Sequence, residues 1–211
     1  PSFGKPHDGL GYVQSVMEHG HGSTAISGVG YYTGHQFPPE YRNNIFVGNV
    51  MTSRINRDSF KWQGSTAKAQ EMADFLQCSD SWFRPVDIQI GPDGALYIAD
   101  FYNRIIGHYE VALDHPGRDR TSGRIWRVTY TGAPGKVPMG TIQKPVDLSS
   151  ATTEVLIKTL ADSDLTRRML ATDQLSDRVG LVSVPELLVA LRNRNSATTR
   201  VHALWVMHRL G

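Results

Sequence analysis

The shortages in this 211-residue chain narrow its identity first. A single cysteine, Cys78, excludes an internal disulfide and any cysteine-cluster metal site, and neither CxxC nor CxxCH surrounds it. No stretch approaches the roughly 18 to 20 uninterrupted apolar residues of a membrane span, and Pro1–Pro6 lacks the charged and apolar regions of a signal peptide. An excess of one charge is missing too. Twenty-two basic and 20 acidic residues leave a net charge of +2, which gives no basic footprint for nucleic acid. The hydrophobic content of 40% is enough for a sizeable core and argues against disorder. Glycine and proline are scarce in one region only: of 20 Gly and 11 Pro, just Gly180, Pro185 and Gly211 lie beyond residue 150. That shift predicts two architectures in one chain.

From Ala25 to Tyr130 the chain is built of short runs rich in β-branched and aromatic residues, punctuated by Gly, Pro, Asn and Asp at all-β spacing. Strands are expected at Ile26–Tyr32, Asn44–Val50, Arg54–Trp62, Pro85–Ile90, Ala95–Phe101, Arg104–Val111 and Arg124–Tyr130. Ser65–Gln77 satisfies neither period and reads as a strand or a short helix. Gly91-Pro92-Asp93-Gly94 is a hairpin signal with a mechanism, since proline presets φ and Asp-Gly accommodates the reversal. On its flanks Val86, Ile88 and Ile90 alternate on one side, and Leu96 and Ile98 on the other. Two groups of about four strands predict two blades of a β-propeller or part of a sandwich. Residues 1–130 are therefore a β segment, and residues 131–150, rich in Gly and Pro, a linker.

Residues 151–211 carry four short amphipathic stripes: Val155, Leu156 and Leu160; Leu165, Met169, Leu170 and Leu175; Leu187, Leu188 and Leu191; and Val201, Leu204, Trp205, Met207 and Leu210. Asp164 or Ser163 can cap the second helix, and Pro185 sits in the first turn of the third. Asp162-Ser163, Arg168 and Ala171 are echoed by Asn195-Ser196, Arg200 and Ala203 at an offset of about 32 residues, in the range of paired-helix solenoids. The polypeptide is expected to continue beyond both ends.

The run Trp82-Phe83-Arg84-Pro85-Val86-Asp87, leading into Gly91-Pro92-Asp93-Gly94-Ala95-Leu96-Tyr97-Ile98-Ala99-Asp100-Phe101-Tyr102 and closing on Gly123-Arg124-Ile125-Trp126-Arg127-Val128, resembles a recurring propeller blade. It is similar to that of the membrane-bound dehydrogenase-like proteins of planctomycete-type bacteria, whose propeller is related to the glucose/sorbosone dehydrogenases. Phe37-Pro38-Pro39-Glu40-Tyr41-Arg42 and Ile45-Phe46-Val47-Gly48 resemble the preceding blade, and His202-Ala203-Leu204-Trp205 resembles the HEAT-type repeats that follow the propeller there. The resemblance implies a mostly β plus α chain, the last two blades of a propeller followed by a HEAT-like α-solenoid. It also implies an exported, periplasmic or cell-surface oxidoreductase. Pyrroloquinoline quinone and Ca²⁺ would be the cofactors of the full-length parent, with haem on a separate domain or partner. In such enzymes a lysine and two arginines hold the quinone carboxylates. Here the lysine falls on Met51 or Thr52, the first arginine on Arg84 and the second on Val86, while Asp87 matches the blade motif. The histidine base belongs to an earlier blade.

Two functions follow as expectations: a segment of a quinoprotein-like sugar or alcohol dehydrogenase that contributes to the substrate and cofactor mouth, or a non-catalytic propeller that binds carbohydrate or protein. Arg84 and Asp87 are the cofactor-binding candidates, and Asp100, Tyr102, Arg104 and His108, with Asn103 beside them, the ligand candidates. The competing assignment is that Asp87 and Asp100 cap turns while Arg84 and Arg104 pair with them structurally. His19 and His21, spaced to face one side of an extended strand, form a possible metal pair with His35 as a third ligand. Cys78 is a bystander thiol. The arginines at 167, 168, 192, 194 and 200 give the helical region a basic face suited to a protein partner.

Overall fold

The computed structural model describes residues 21–22, 25–64, 66–107, 110–132 and 144–211. Its contacts divide the chain into a β unit (up to Tyr32, Asn43–Gln89 and Leu96–Val128) and a helical unit (Thr33–Arg42, Ile90–Ala95 and Thr129–Gly211), interleaved in sequence. His19, His108 and residues 133–143 of the expected linker lie outside the described residues.

The β unit holds two antiparallel sheets, neither of them closed. In the first, β1 (Ile26–Tyr32), β2 (Asn44–Asn49), β3 (Arg54–Gln63) and β4 (Thr66–Glu71) follow one another, and the short β5 (Leu76–Gln77) also pairs with β3. Of the stretch 65–77, open between strand and helix on its sequence, Thr66–Glu71 and Leu76–Gln77 are thus β: Lys68 and Gln70 leave no apolar helical stripe, and β3 offers a ladder from Asp58↔Glu71 to Gln63↔Thr66. The second sheet runs β6 (Pro85–Ile90), β7 (Leu96–Asp100), β8 (Arg124–Val128). Tyr32, Phe46, Ile55, Ile88, Leu96 and Ile98 are fully or almost fully buried, and Phe46 meets Tyr32 and Phe75 edge to face at ring-centroid distances of 6.1 and 4.9 Å.

Two glycines set how closely the sheets approach. Gly28 lies in a bulge of β1 at φ +62°, and a Cβ there would come within 2.5 Å of the Asp87 Cα; a Cβ on Gly48 would strike the carbonyl oxygens of Ser27 and Pro85. The Ser27 hydroxyl donates to Val86 O at 2.7 Å across the same contact.

One expected strand is absent. Among the described residues, Arg104–Val111 forms no strand, and β8 supplies the third strand of its sheet. Ile105 and Ile106 are adjacent rather than alternating, so neither face of a strand would be apolar. The segment is instead gathered by Arg118, whose guanidinium donates to the carbonyls of Ala112 (2.9 Å), Val111 (2.5 Å), Ile105 (3.5 Å) and Gly107. Val86 also departs from its expected face: it is 38% exposed, while Ile88 beside it is buried.

The helical unit contains α1 (Thr153–Thr159), α2 (Leu165–Asp173), a π-helical turn at Gln174–Val179, a 3₁₀ turn at Gly180–Ser183, α3 (Val184–Leu191) and α4 (Ala197–Leu210). The caps follow from residue chemistry. The side chains of Thr152, Asp164 and Ser196 accept from Val155 N, Thr166 N and Thr199 N, each satisfying an amide that the first helical turn leaves open. Pro185 falls in the first turn of α3, as expected. Leu148, Leu156, Leu160, Ala171, Leu175, Leu187, Ala190, Ala203 and Val206 make the core.

Within the same unit the Gly91–Gly94 turn closes through Gly94 N to Gly91 O and Gly91 N to Ala95 O, both 2.9 Å, with Gly94 at φ +76°. Gln36 pairs both ends of its amide with the Tyr130 backbone, donating to its O at 2.9 Å and accepting from its N at 2.8 Å.

Candidate functional site

Several of the expected site residues converge where β6 begins and β7 ends. The Asp100 carboxylate, 3% exposed, accepts from Arg84 N at 2.8 Å and Tyr102 N at 2.9 Å through Oδ1, and from the Trp126 indole N–H at 3.0 Å through Oδ2. Three donors use most of its acceptor capacity. The Arg84 guanidinium is spent on backbone: Nε donates to Asn103 O at 2.9 Å, Nη1 to Val50 O at 2.5 Å and Nη2 to Arg104 O at 3.5 Å. Burial pulls the Arg84 pKa below its ordinary value, and Asp100 and Asp80 oppose that shift. Asp87 accepts from Ile88 N at 2.9 Å and from the Gln89 amide. Asp100 thus holds the backbone at the start of β6 and after β7, Asp87 bonds locally within β6, and the Arg84 guanidinium bonds to backbone carbonyls rather than pairing with either aspartate.

Asn103, almost fully buried, bridges the loop by donating to Asp119 O at 2.6 Å and accepting from Ile105 N at 3.2 Å. The Asp119 carboxyl, accepting from the amides of Thr121 and Ser122, is held down at about 2. The Arg104 side chain is exposed, and its carbonyl serves Arg84.

A quinone carboxylate would need cations that these positions do not offer. Met51 is 56% exposed, Val86 is apolar, and the Thr52 hydroxyl is buried without a partner. The residues present do not fit pyrroloquinoline quinone.

What remains open at this end of the β unit is aromatic. Tyr102, at φ +46°, packs against Trp82 with ring centroids 5.5 Å apart, and the Arg124 guanidinium carbon lies 3.4 Å over its ring and 5.9 Å from that of Trp126. Trp126 is 46% exposed and, with Leu76, Gln77, Cys78, Phe83, Ile98 and Val128, lines a cleft of about 240 Å³. A family model described as a domain of unknown function, DUF7133, matches residues 7–132, more than half of the chain and nearly all of its β unit. The chain belongs to the DUF7133 family. No curated protein and no solved structure matches it.

His21 and His35 of the DUF7133 chain belong to different units. His21 is buried in the β unit, with Nε2 2.9 Å from Asp58 Oδ1 and Nδ1 3.2 Å from Glu71 Oε1. His35 belongs to the helical unit, where its Nε2 lies 2.7 Å from Ser163 Oγ. Among the described residues no group of three or more His, Cys, Asp and Glu could hold a metal ion. The Arg124–Tyr102 contact and the Arg118 hub were not foreseen from the sequence, because their partners lie too far along the chain to leave a local pattern.

Among the described residues, no helix is long and apolar enough to cross a membrane.

Proposed function

We propose that this DUF7133 chain is the end of an exported, periplasmic or cell-surface propeller of glucose/sorbosone dehydrogenase type, followed by HEAT-type repeats, and that its β segment binds carbohydrate without catalysing its oxidation. The observation that carries this reading is the Trp126 indole. Its N–H is anchored on the buried Asp100 while its ring stays half exposed beside a cleft of about 240 Å³. A ring fixed in that way is a preorganised stacking face, with apolar walls and few polar groups around it. The commitment of Arg84 to three carbonyls counts against quinone binding and so against the dehydrogenase alternative.

The two antiparallel sheets, pressed together at Gly28 and Gly48, support neighbouring blades. The two helical pairs, whose second helices start about 32 residues apart at Leu165 and Ala197, support the repeat assignment.

The test titrates the full chain with a panel of mono- and oligosaccharides while following tryptophan fluorescence, alongside dye reduction with added pyrroloquinoline quinone and Ca²⁺. Binding that weakens more than about tenfold in Trp126→Leu, in a variant that still melts cooperatively although its melting point falls with the loss of the Asp100 bond, and no dye reduction, is the expected result. Sugar-dependent dye reduction, or binding indifferent to Trp126, overturns the reading.

A further inference from the structure

The cleft beside Trp126 ends at a cation whose natural partner is already taken. Arg124 stands directly opposite Asp100 in the β7–β8 ladder, where side chains of neighbouring strands meet on one face. An arginine and an aspartate so placed would ordinarily pair. Here the Asp100 carboxylate is buried and accepts from Arg84 N, Tyr102 N and the Trp126 indole N–H. The exposed Arg124 guanidinium lies instead over the Tyr102 ring, 3.4 Å from its centre. Among the described residues, no acidic side chain forms an ion pair with Arg124. Asp80, the other acid whose charge reaches it, accepts from Trp82 N at 2.9 Å.

The ring beneath that guanidinium is held in place. Tyr102 sits at φ +46°, which a side chain of its size rarely adopts, and two contacts keep it there: its N donates to Asp100, and Trp82 packs against its ring at 5.5 Å. A guanidinium lying on a ring keeps its N–H donors in its own plane, directed past the ring edge, which suits a planar carboxylate that accepts twice. Arg124 and Trp126 are two residues apart on β8, so they share a face with Val128 and with Ile98 of β7, the partner of Trp126. Trp126, Val128 and Ile98 line the cleft, and the Arg124 guanidinium carbon is 5.9 Å from the Trp126 ring. A sugar stacked on the indole therefore meets a cation at its edge and largely apolar walls around it.

We infer that the Trp126 cleft selects uronic-acid sugars, with Arg124 binding the ligand carboxylate and Tyr102 positioning Arg124. The assignment rests on the proposed binding of carbohydrate at Trp126 and adds the class of sugar. A neutral sugar leaves the guanidinium without the anionic acceptor that Asp100 does not supply, whereas a uronate provides it at the edge of the stacked ring.

The test is calorimetric titration of the full chain with matched sets of oligosaccharides, each a uronate, its methyl ester and the corresponding neutral sugar, in the galacto, gluco and manno series. At least one acid is expected to bind about tenfold or more tightly than its ester, the effect of one charge-assisted contact, and salt should narrow the gap. Arg124→Gln should bring acid and ester to equal affinity while leaving the ester's affinity unchanged, which also shows that the cleft of the variant is intact. Arg124→Lys should restore part of the preference, because the charge returns without the planar fork. Trp126→Leu should weaken acid and ester alike. Acids that bind no better than their esters, or a preference that survives Arg124→Gln, overturn this inference, and the carbohydrate-binding reading then stands if the sugars still bind through Trp126. Absence of binding by every sugar overturns both.

Discussion

Replacing Arg84 by alanine separates a structural guanidinium from a ligand-binding one. Two of its hydrogen bonds are short, 2.9 Å to Asn103 O and 2.5 Å to Val50 O, and the 3.5 Å contact to Arg104 O adds little. Bonds from a charged donor contribute about 1.5 to 3 kcal/mol each, so the lower end for two gives about 3 kcal/mol, lost when the carbonyls are left without that donor. With a urea dependence of about 2 kcal/mol per molar, the unfolding midpoint of the β unit should fall by about 1.5 M. Trp62, Trp82 and Trp126 report that transition in a Trp205→Phe background, which removes the indole of the helical unit at an exposed position. Arg84→Lys should recover less than half of the loss, because an ammonium cannot reproduce the planar fork that spans both carbonyls. A midpoint unchanged to within about 0.3 M, coupled with loss of sugar binding, would refute the reasoning and return Arg84 to the ligand site.

Burial and the neighbouring Arg168 hold His202 below its ordinary value near 6.5, so the unfolded chain takes up the proton first. The helical unit is therefore expected to lose stability as the pH falls below about 6.5 and to level off once folded His202 is also protonated; thermal melts at 222 nm between pH 7.5 and 4.5 should show this slope, and His202→Gln should flatten it. Gly48→Ala should lower the stability of the β unit by about 1 to 3 kcal/mol, because the new methyl group meets the Pro85 oxygen of the other sheet and the Ser27 oxygen of the neighbouring strand, and both are backbone. Gly64→Ala, at φ +61° with open space around it, should cost only about 1 kcal/mol, the conformational share alone; equal melting points for the two variants would remove the close-packing argument.

Features set by neighbours in sequence were legible. The β1 boundaries match the expected strand Ile26–Tyr32, the Gly91–Gly94 turn closes as its residue types require, and Asp164 caps the helix it precedes. Features set by distant backbone were not. The third strand of the second sheet comes from Arg124–Val128 because a segment gathered by Arg118 intervenes, and hydrogen bonds to carbonyls place no demand on residue type at the accepting end. The candidate site divides in the same way. Asp100 stands at the end of β7 as expected, whereas Asp87 lies inside β6, and Arg84 reaches a carbonyl 34 positions away, a partner that no local pattern announces.

The Arg118 hub bears on how this chain meets proteases. A trypsin-like enzyme must draw an arginine side chain fully extended into its specificity pocket, and Arg118 could enter only after surrendering the carbonyls of Ala112, Val111, Ile105 and Gly107 together. The peptide bond after Arg118 is thus shielded by its own side chain, although no helix or strand covers it. Exposed Arg104 carries no comparable side-chain commitment, so the two arginines, equivalent in a list of cleavage motifs, differ by the cost of local opening.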